Sequence, residues 1–224
     1  MNSISAIITA GGIGKRMGGE IPKQFLRLNN RPVLVHTLES MHAMLPDAEI
    51  LITLPEDWKN YWTDLLKAYD CTVEHRIVSG GEERYHSVRN AVLASTGSIV
   101  LIHDGVRPLV SFDTITRCLH AVERFGTAVP VVPLKESLRR ISGDHSAAVD
   151  RSLYRLVQTP QCFRREILLA AYDLPYHAAI TDDASLVEEA GHVIHTVAGN
   201  EENIKITTPA DLELAEIHLS RDRT

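Results

Sequence analysis

The sequence predicts an α/β fold: a mostly parallel sheet flanked by helices, with one β-hairpin arm projecting from it. Three observations carry the prediction. Short apolar runs alternate with helical patterns from one end of the chain to the other. A glycine-rich, cationic stretch follows the first apolar run directly, where a ligand-binding turn sits in such sheets. One segment, 135–158, breaks the alternation with polar and apolar stretches around a central turn.

The elements follow in order. Ile4–Thr9 is an apolar run ending at glycines, which reads as a buried strand. Strands are also predicted at Ala48–Leu54, Thr72–Val78, Ser98–His103, Thr127–Val132 and Val193–Val197. Helical periodicity covers Pro32–Met44, Glu56–Ala68, His86–Ala94, Asp113–Phe125, Arg164–Tyr172, Asp183–Ala190 and Pro209–Leu219. Two helix starts carry signals: Ser111 offers a cap before Asp113, and Thr208-Pro209-Ala210-Asp211 combines a cap, a first-position proline and a first-turn acid. Asn203 to Pro209 reads as a short strand running into the last helix, with Lys205 facing away from Ile204 and Ile206. Lys135–Gln158, turning at Gly143-Asp144-His145, reads as the arm. A hairpin is marginal alone, so the arm needs a surface to pack on, and a second copy of the chain is the natural one. The length of 224 residues suits one domain, 1–224, with the arm inside it.

Bulk properties exclude several classes. A net charge of -6 argues against general nucleic-acid binding, which needs a basic face. No run of about eighteen apolar residues exists, so no membrane span is expected. No signal peptide is read at the N-terminus. The three cysteines, Cys71, Cys118 and Cys162, are far apart and read as thiols of a reducing cytoplasm. His192 and His195 have a spacing that would suit a metal on a helix. In a strand they would point to opposite faces, and no metal role is assigned.

The chemistry concentrates in a few motifs. In Thr9 to Gly18 (TAGGIGKRMG), glycines 11, 12 and 14 allow close backbone approach, and Lys15, Arg16 and Lys23 surround the turn with cations. That combination suits a polyphosphate. A Walker loop is excluded because Thr9 and Arg16 stand where it needs glycine and a hydroxyl. The dinucleotide fingerprint fails because Met17 occupies the third glycine position. Asp104, in His103-Asp104-Gly105-Val106-Arg107-Pro108 at the end of a buried strand, is a candidate magnesium ligand, since Mg²⁺ takes one or two carboxylates plus phosphate oxygens. Arg107 is a candidate phosphate ligand or the partner of an acid. The Gly80-Gly81 turn and Ser87 could bind a base edge or simply start a helix. Lys205 suits either a ligand or a solvated face, and Thr181 to Ser185 requires no more than a helix cap.

Together, the loop with Pro22-Lys23-Gln24, GG-x-ER-xx-SV, HD-xx-RP, the arm ending in Val157 to Gln161, TDDAS and NIKIT-xP resemble the 2-C-methyl-D-erythritol 4-phosphate cytidylyltransferases of the non-mevalonate isoprenoid pathway. The motifs span Ala10 to about Pro209. The resemblance implies a Rossmann-like, nucleotide-diphospho-sugar transferase-like sheet. It implies cytidylyl transfer from CTP to methylerythritol phosphate, with pyrophosphate leaving, Mg²⁺ as cofactor, a homodimer through the arm and a cytoplasmic location. Arg16 and Lys23 match the cations that stabilise the transition state, and Ala10, Gly11, Gly12, Gly14, Lys15, Gly81 and Ser87 match nucleotide-binding positions. Asp104 matches the metal ligand. Arg107, Arg151, Thr181 and Lys205 match positions that bind or orient the acceptor, with Arg151 serving the neighbour's site. Ser137 stands where the family usually has threonine, and Gly11 where many relatives have alanine. A sister enzyme acting on ribitol 5-phosphate shares the nucleotide half of this pattern. A non-catalytic nucleotide sensor and a nicotinamide oxidoreductase are the readings from other classes.

Overall fold

The computed structural model describes residues 2–12 and 21–221. In chain order its elements are β1 (Ile4–Thr9), β2 (Arg27–Leu28), β3 (Arg31–Pro32), α1 (Val33–Met44), β4 (Glu49–Leu54), α2 (Lys59–Ala68), β5 (Arg76–Ser79), α3 (Arg84–Ala94) and β6 (Ile99–Asp104). There follow α4 (Phe112–Phe125), β7 (Thr127–Pro133), β8 (Leu138–Ser142), β9 (His145–Val149), β10 (Arg155–Val157), β11 (Gln161–Arg164), α5 (Arg165–Tyr172), α6 (Asp183–Glu189), β12 (Thr196–Ala198) and α7 (Pro209–Arg221).

The main sheet runs β10-β7-β11-β6-β1-β4-β5, with β12 added beside β7. β1, β4, β5 and β6 are mutually parallel where they pair, and β11 is antiparallel to both β6 and β7. Alternation along β1 separates two cores: Ala6 and Ile8 pack with α1, α2 and α4 on one face, Ile7 with α3, α5 and α6 on the other. All six residues of β6 are buried. Each fully buried Val, Leu or Ile contributes roughly 1.5–3 kcal/mol, so the central strands are held firmly in register. The chain leaves β1 for β4 and β5 on one side, then returns to β6 on the other. That reversal opens a crevice at the carboxyl ends of β1 and β6, where Thr9 lies opposite Asp104.

Several expectations shift for identifiable reasons. The strand expected over Thr72–Val78 begins only at Arg76. His75 Nδ1 bonds the Val73 carbonyl at 2.8 Å, and its Nε2 takes the Trp62 indole N–H at 3.0 Å, so this stretch is spent on local contacts. The strand expected over Val193–Val197 is Thr196–Ala198. Thr127 Oγ1 binds Val193 O and His195 N and replaces the ladder there. Asn203–Thr208 forms no strand; Ile206 N bonds Val106 O, and Ile204 N turns back to Glu202 O. Glu56–Trp58 is a 3₁₀ turn ahead of α2, and α3 starts two residues early, at Arg84. Both helix-start signals are used: Ser111 Oγ accepts from Thr114 N at 3.2 Å, and α7 begins at Pro209 with Asp211 in its first turn. β8 and β9 form the projecting hairpin over 138–149, while residues 155–157 return to pair with β7.

Candidate active site

At the crevice the ends of β1, β4 and β6 and the turn before α3 surround a cavity of about 280 Å³. Ala10, Gly11, Gly12, Lys23, Gly81, Ser87, Asp104 and Lys205 are among the residues that line it. The sequence reading named all eight. Backbone bonds fix the rim: Ala10 N to Thr53 O at 3.1 Å, Gly80 N to Leu54 O at 2.8 Å and Gly105 N to Thr9 O at 2.9 Å.

The turn at Gly81 is built by Ser87. Its hydroxyl accepts the Gly81 N–H at 2.9 Å and donates to Glu83 O at 3.1 Å. Gly81 has to be glycine, because a Cβ there would lie 2.3 Å from His86 Cβ. The amides of Gly80 and Gly81 are thus both committed within the protein. A methyl at Gly11 would sit 3.3 Å from Ser87 Oγ, so glycine there gives the hydroxyl room.

Lys23 is carried by a 3₁₀ turn, Lys23–Phe25, pinned at both following residues. Gln24 Nε2 donates to Ala10 O at 2.7 Å, tying the turn to the glycine loop. Phe25, 4 % exposed, inserts among Trp58, Tyr61 and Trp62 with ring centroids 5.2–6.3 Å away.

Asp104 is the electrostatic centre. Its Oδ2 receives Lys205 Nζ at 3.0 Å and Arg107 Nε at 3.1 Å. Burial would raise its pKa, but the charges of Lys205, Arg84 and Arg107 reverse that and hold it well below the usual carboxylate range. Beneath it the buried imidazole of His103 has a defined tautomer. Its Nε2 lies 2.9 Å from the Arg107 carbonyl and must donate; its Nδ1 then accepts from Thr159 Oγ1 at 3.0 Å. The same Thr159 oxygen accepts the Asp104 amide N–H at 3.0 Å. Burial pushes the His103 pKa down to about 4, so the ring is neutral.

The other expected residues lie elsewhere. Arg107 sits behind Asp104 rather than on the cavity wall, with its Nη1 on Asn203 O at 2.8 Å. Thr181 is exposed beside a separate cavity of about 20 Å³. Ser137 and Arg151 are exposed outside the cavity, and Arg151 donates to Lys135 O. Gly14, Lys15 and Arg16 lie outside the described residues. Among the described residues no group of three or more His, Cys, Asp or Glu could hold a metal. The sequence reading gave no role to several residues that line the cavity, Gln24, Thr53, Glu82, Glu83, Arg84 and Val106 among them.

The family model for IspD, 2-C-methyl-D-erythritol 4-phosphate cytidylyltransferase, matches residues 4–221. The chain belongs to this family. A cytidylyltransferase of that name from Porphyromonas gingivalis is 49% identical over 217 residues, covering 96% of this chain and 97% of the relative. One from Phocaeicola vulgatus is 45% identical over 212 residues, covering 94% and 97%. Among solved structures, 4-diphosphocytidyl-2C-methyl-D-erythritol synthase from Anaerococcus prevotii superposes with a TM-score of 0.84 at 29% identity, covering 98% of this chain and 99% of that one. The cytidylyltransferase from Thermus thermophilus superposes at 0.79 with 34% identity over the same shares. The fold is therefore that of the IspD nucleotidyltransferases, and the cavity lies where that fold's sheet reverses direction.

Proposed function

We propose that the protein transfers the cytidylyl group of CTP to 2-C-methyl-D-erythritol 4-phosphate, giving 4-diphosphocytidyl-2-C-methyl-D-erythritol and pyrophosphate. The observation that carries the reading is the meeting of Lys23, Lys205 and Asp104 with the Gly81–Ser87 turn around one cavity at the switch point. An oxygen of the acceptor's phosphate monoester attacks the α-phosphorus of CTP as the bond to pyrophosphate breaks. With a second pKa near 6 the monoester is already largely dianionic at neutral pH, so no general base is required. The remaining obstacle is repulsion between two polyanions. Lys23 and Lys205, with Arg16 by resemblance, offset that charge and align the attack. Lys15 is the adjacent basic position in the same loop.

A divalent cation fits the donor set. Asp104 contributes one carboxylate to the cavity lining, and both of its ion pairs fall on Oδ2. With a single carboxylate, phosphate oxygens of the nucleotide complete the set, as Mg²⁺ prefers. When bound, the ion neutralises developing phosphate charge.

Ser137 and Arg151 on the arm support a homodimer in which each arm serves the partner's acceptor pocket. The chain then acts as one catalytic unit, 1–224, with its arm as the dimer contact. Ile141, Leu153 and Leu156 are each more than half exposed there, an apolar surface that pairing would cover. A cytoplasmic location suits the free thiols Cys71, Cys118 and Cys162. No helix among the described residues is long and apolar enough to cross a membrane.

The test is pyrophosphate release from CTP with Mg²⁺, with methylerythritol 4-phosphate and ribitol 5-phosphate as parallel acceptors. Release with the first alone is expected. Release with ribitol 5-phosphate alone would move the enzyme to another polyol phosphate and point to Ser137.

A further inference from the structure

Lys205 reaches Asp104 from a stretch of chain that no sheet ladder holds. Asn203–Thr208 forms no strand. Among the described residues, one backbone–backbone bond ties residues 203–206 to a distant element, Ile206 N to Val106 O at 3.0 Å. Side chains supply the rest, and they converge on Asn203, which is fully buried two residues before Lys205. Its Nδ2 donates to Thr159 O at 2.8 Å. Its carbonyl accepts Arg107 Nη1 at 2.8 Å and Gln158 Nε2 at 3.3 Å. Gln158 Nε2 also donates to Asn200 O at 2.8 Å, so the same amide grips the chain on both sides of the turn.

These bonds close a ring around the ion pair. Thr159 Oγ1 accepts the Asp104 amide N–H at 3.0 Å, and Arg107 Nε donates to Asp104 Oδ2 at 3.1 Å. Lys205 Nζ meets that same oxygen at 3.0 Å. Asn203 is thus tied twice, through Thr159 and through Arg107, to the carboxylate that Lys205 has to reach. A lysine ammonium sits on a flexible four-carbon stem, so its aim depends on where its backbone is held. The orientation of the Asn203 amide is itself determined. Its nitrogen supplies the donor to Thr159 O, and a flipped amide would set oxygen against oxygen there. Its Oδ1 is buried and has no protein partner among the described residues. The side chain therefore serves as a donor alone.

We infer that Asn203, with Gln158 behind its carbonyl, positions Lys205 at the cavity. The pair fixes the segment so that the ammonium rests against Asp104 and still lines the cavity. Neither Asn203 nor Gln158 lines that cavity, so both are positioning residues that act through Lys205. The step that Lys205 serves rests on the cytidylyl-transfer reading; the hold on Lys205 does not.

The experiment compares wild type with Asn203→Leu, which removes the donor and the unpartnered oxygen together and so loses little stability. Three quantities are measured: the rate at which each lysine is acetylated by an N-hydroxysuccinimide ester, read by peptide mass; pyrophosphate release from CTP, Mg²⁺ and methylerythritol 4-phosphate; and a melting curve. Lys67, whose side chain is 74 % exposed on α2, is the internal reference. Lys205 should label about threefold faster in the variant, the size expected when a half-exposed ion pair is set free, and Lys67 should not change. Turnover at saturating substrates should fall about tenfold, with Tm within about 4 °C of wild type. If Asn203→Leu does not fold, Gln158→Met, which withdraws a donor from the Asn203 carbonyl, carries the test with the same signs. A folded variant that labels Lys205 at the wild-type rate overturns the assignment. So does a variant in which Lys67 and Lys205 label faster together, since that marks a general loss of structure, or one that frees Lys205 and keeps full turnover. A wild type that releases no pyrophosphate overturns the cytidylyl-transfer reading, and the labelling contrast then still decides whether Asn203 holds Lys205.

Discussion

Replacing Asp104 with asparagine removes one charge from the centre of the site and almost no volume. In the wild type, Oδ2 holds Arg107, whose side chain is 11 % exposed, and Lys205, which is 43 % exposed. A hydrogen bond to a charged group is worth about 1.5–3 kcal/mol, and the Lys205 contact is discounted for solvent screening. Asparagine keeps one neutral acceptor, so the net loss is about 2–4 kcal/mol. For a chain of this size that lowers Tm by roughly 4–16 °C. The pH dependence follows from the pKa direction. A depressed carboxylate stabilises the fold above its unfolded pKa of about 4, and that contribution is lost as pH falls below it toward the folded value. Urea unfolding followed by tryptophan emission, near neutral pH and at about pH 3, measures both effects. The gap between wild type and Asp104→Asn should be largest at neutral pH and narrower in acid. Turnover should fall by about a hundredfold or more. Equal stability at neutral pH, or a gap that widens in acid, would refute the account of Asp104 as the counter-ion of Lys205 and Arg107.

Five further outcomes are expected. Ser87→Ala leaves the Gly81 amide unpartnered, and CTP KM should rise about tenfold, for a loss near 1.4 kcal/mol; an unchanged KM would mean that the turn holds without the hydroxyl. Phe25→Ala empties the ring cluster under Lys23 and should cost about 3–5 kcal/mol. Because Trp58 and Trp62 are the chain's two tryptophans, emission should shift at the same time as kcat falls. His103 is neutral when folded, with a pKa near 4 against about 6.5 unfolded; its contribution is complete above about pH 6.5 and is lost as pH falls toward 4. Thr159→Val orphans both His103 Nδ1 and the Asp104 amide and should lower stability by about 2–4 kcal/mol by urea titration at neutral pH. Leu153→Asp, at a side chain 79 % exposed on the arm segment, should shift the mass in light scattering from dimer to monomer and lower activity together; a wild type at monomer mass would refute the arm's role.

The parts of the site that were legible in the sequence are those whose chemistry is local. Glycines and lysine follow an apolar strand within a few residues, and Asp104 ends another apolar run, so the sequence alone places both at strand ends. Arg84 could not be given a role this way. Its neighbours read as a helix start, and the carboxylate that fixes it lies 99 residues away. The Thr159 link from His103 to Asp104 spans 55 and 56 residues and leaves no local trace. In the fold, β11 was missed because Gln161–Arg164 is four residues long and sits where helix periodicity starts; its pairing with β6 and β7 comes from the sheet. The start of β5 was misplaced because the sequence shows an apolar alternation there but not the capture of the Val73 carbonyl by His75.

The charge balance of the cavity explains how a chain of net charge -6 can present a polyphosphate site. Two pairings hold its cations: Asp104 faces Lys205 and Arg107, and Asp183 faces Arg84. Unpaired, such a group of cations would repel itself in a partly dry crevice. Paired, each cation waits in a fixed place with one side turned to the cavity or one shell behind it. Both carboxylates are almost fully buried, so they act as fixed counter-charges rather than exposed acids competing for the approach of an anion. An incoming phosphate therefore meets prealigned donors and has little reorganisation to drive, which is how preorganised charge accelerates a reaction between anions. The same argument sets a limit on engineering the site. Removing an acid to make the cavity more positive should weaken catalysis, because the cations would lose the partners that fix their positions.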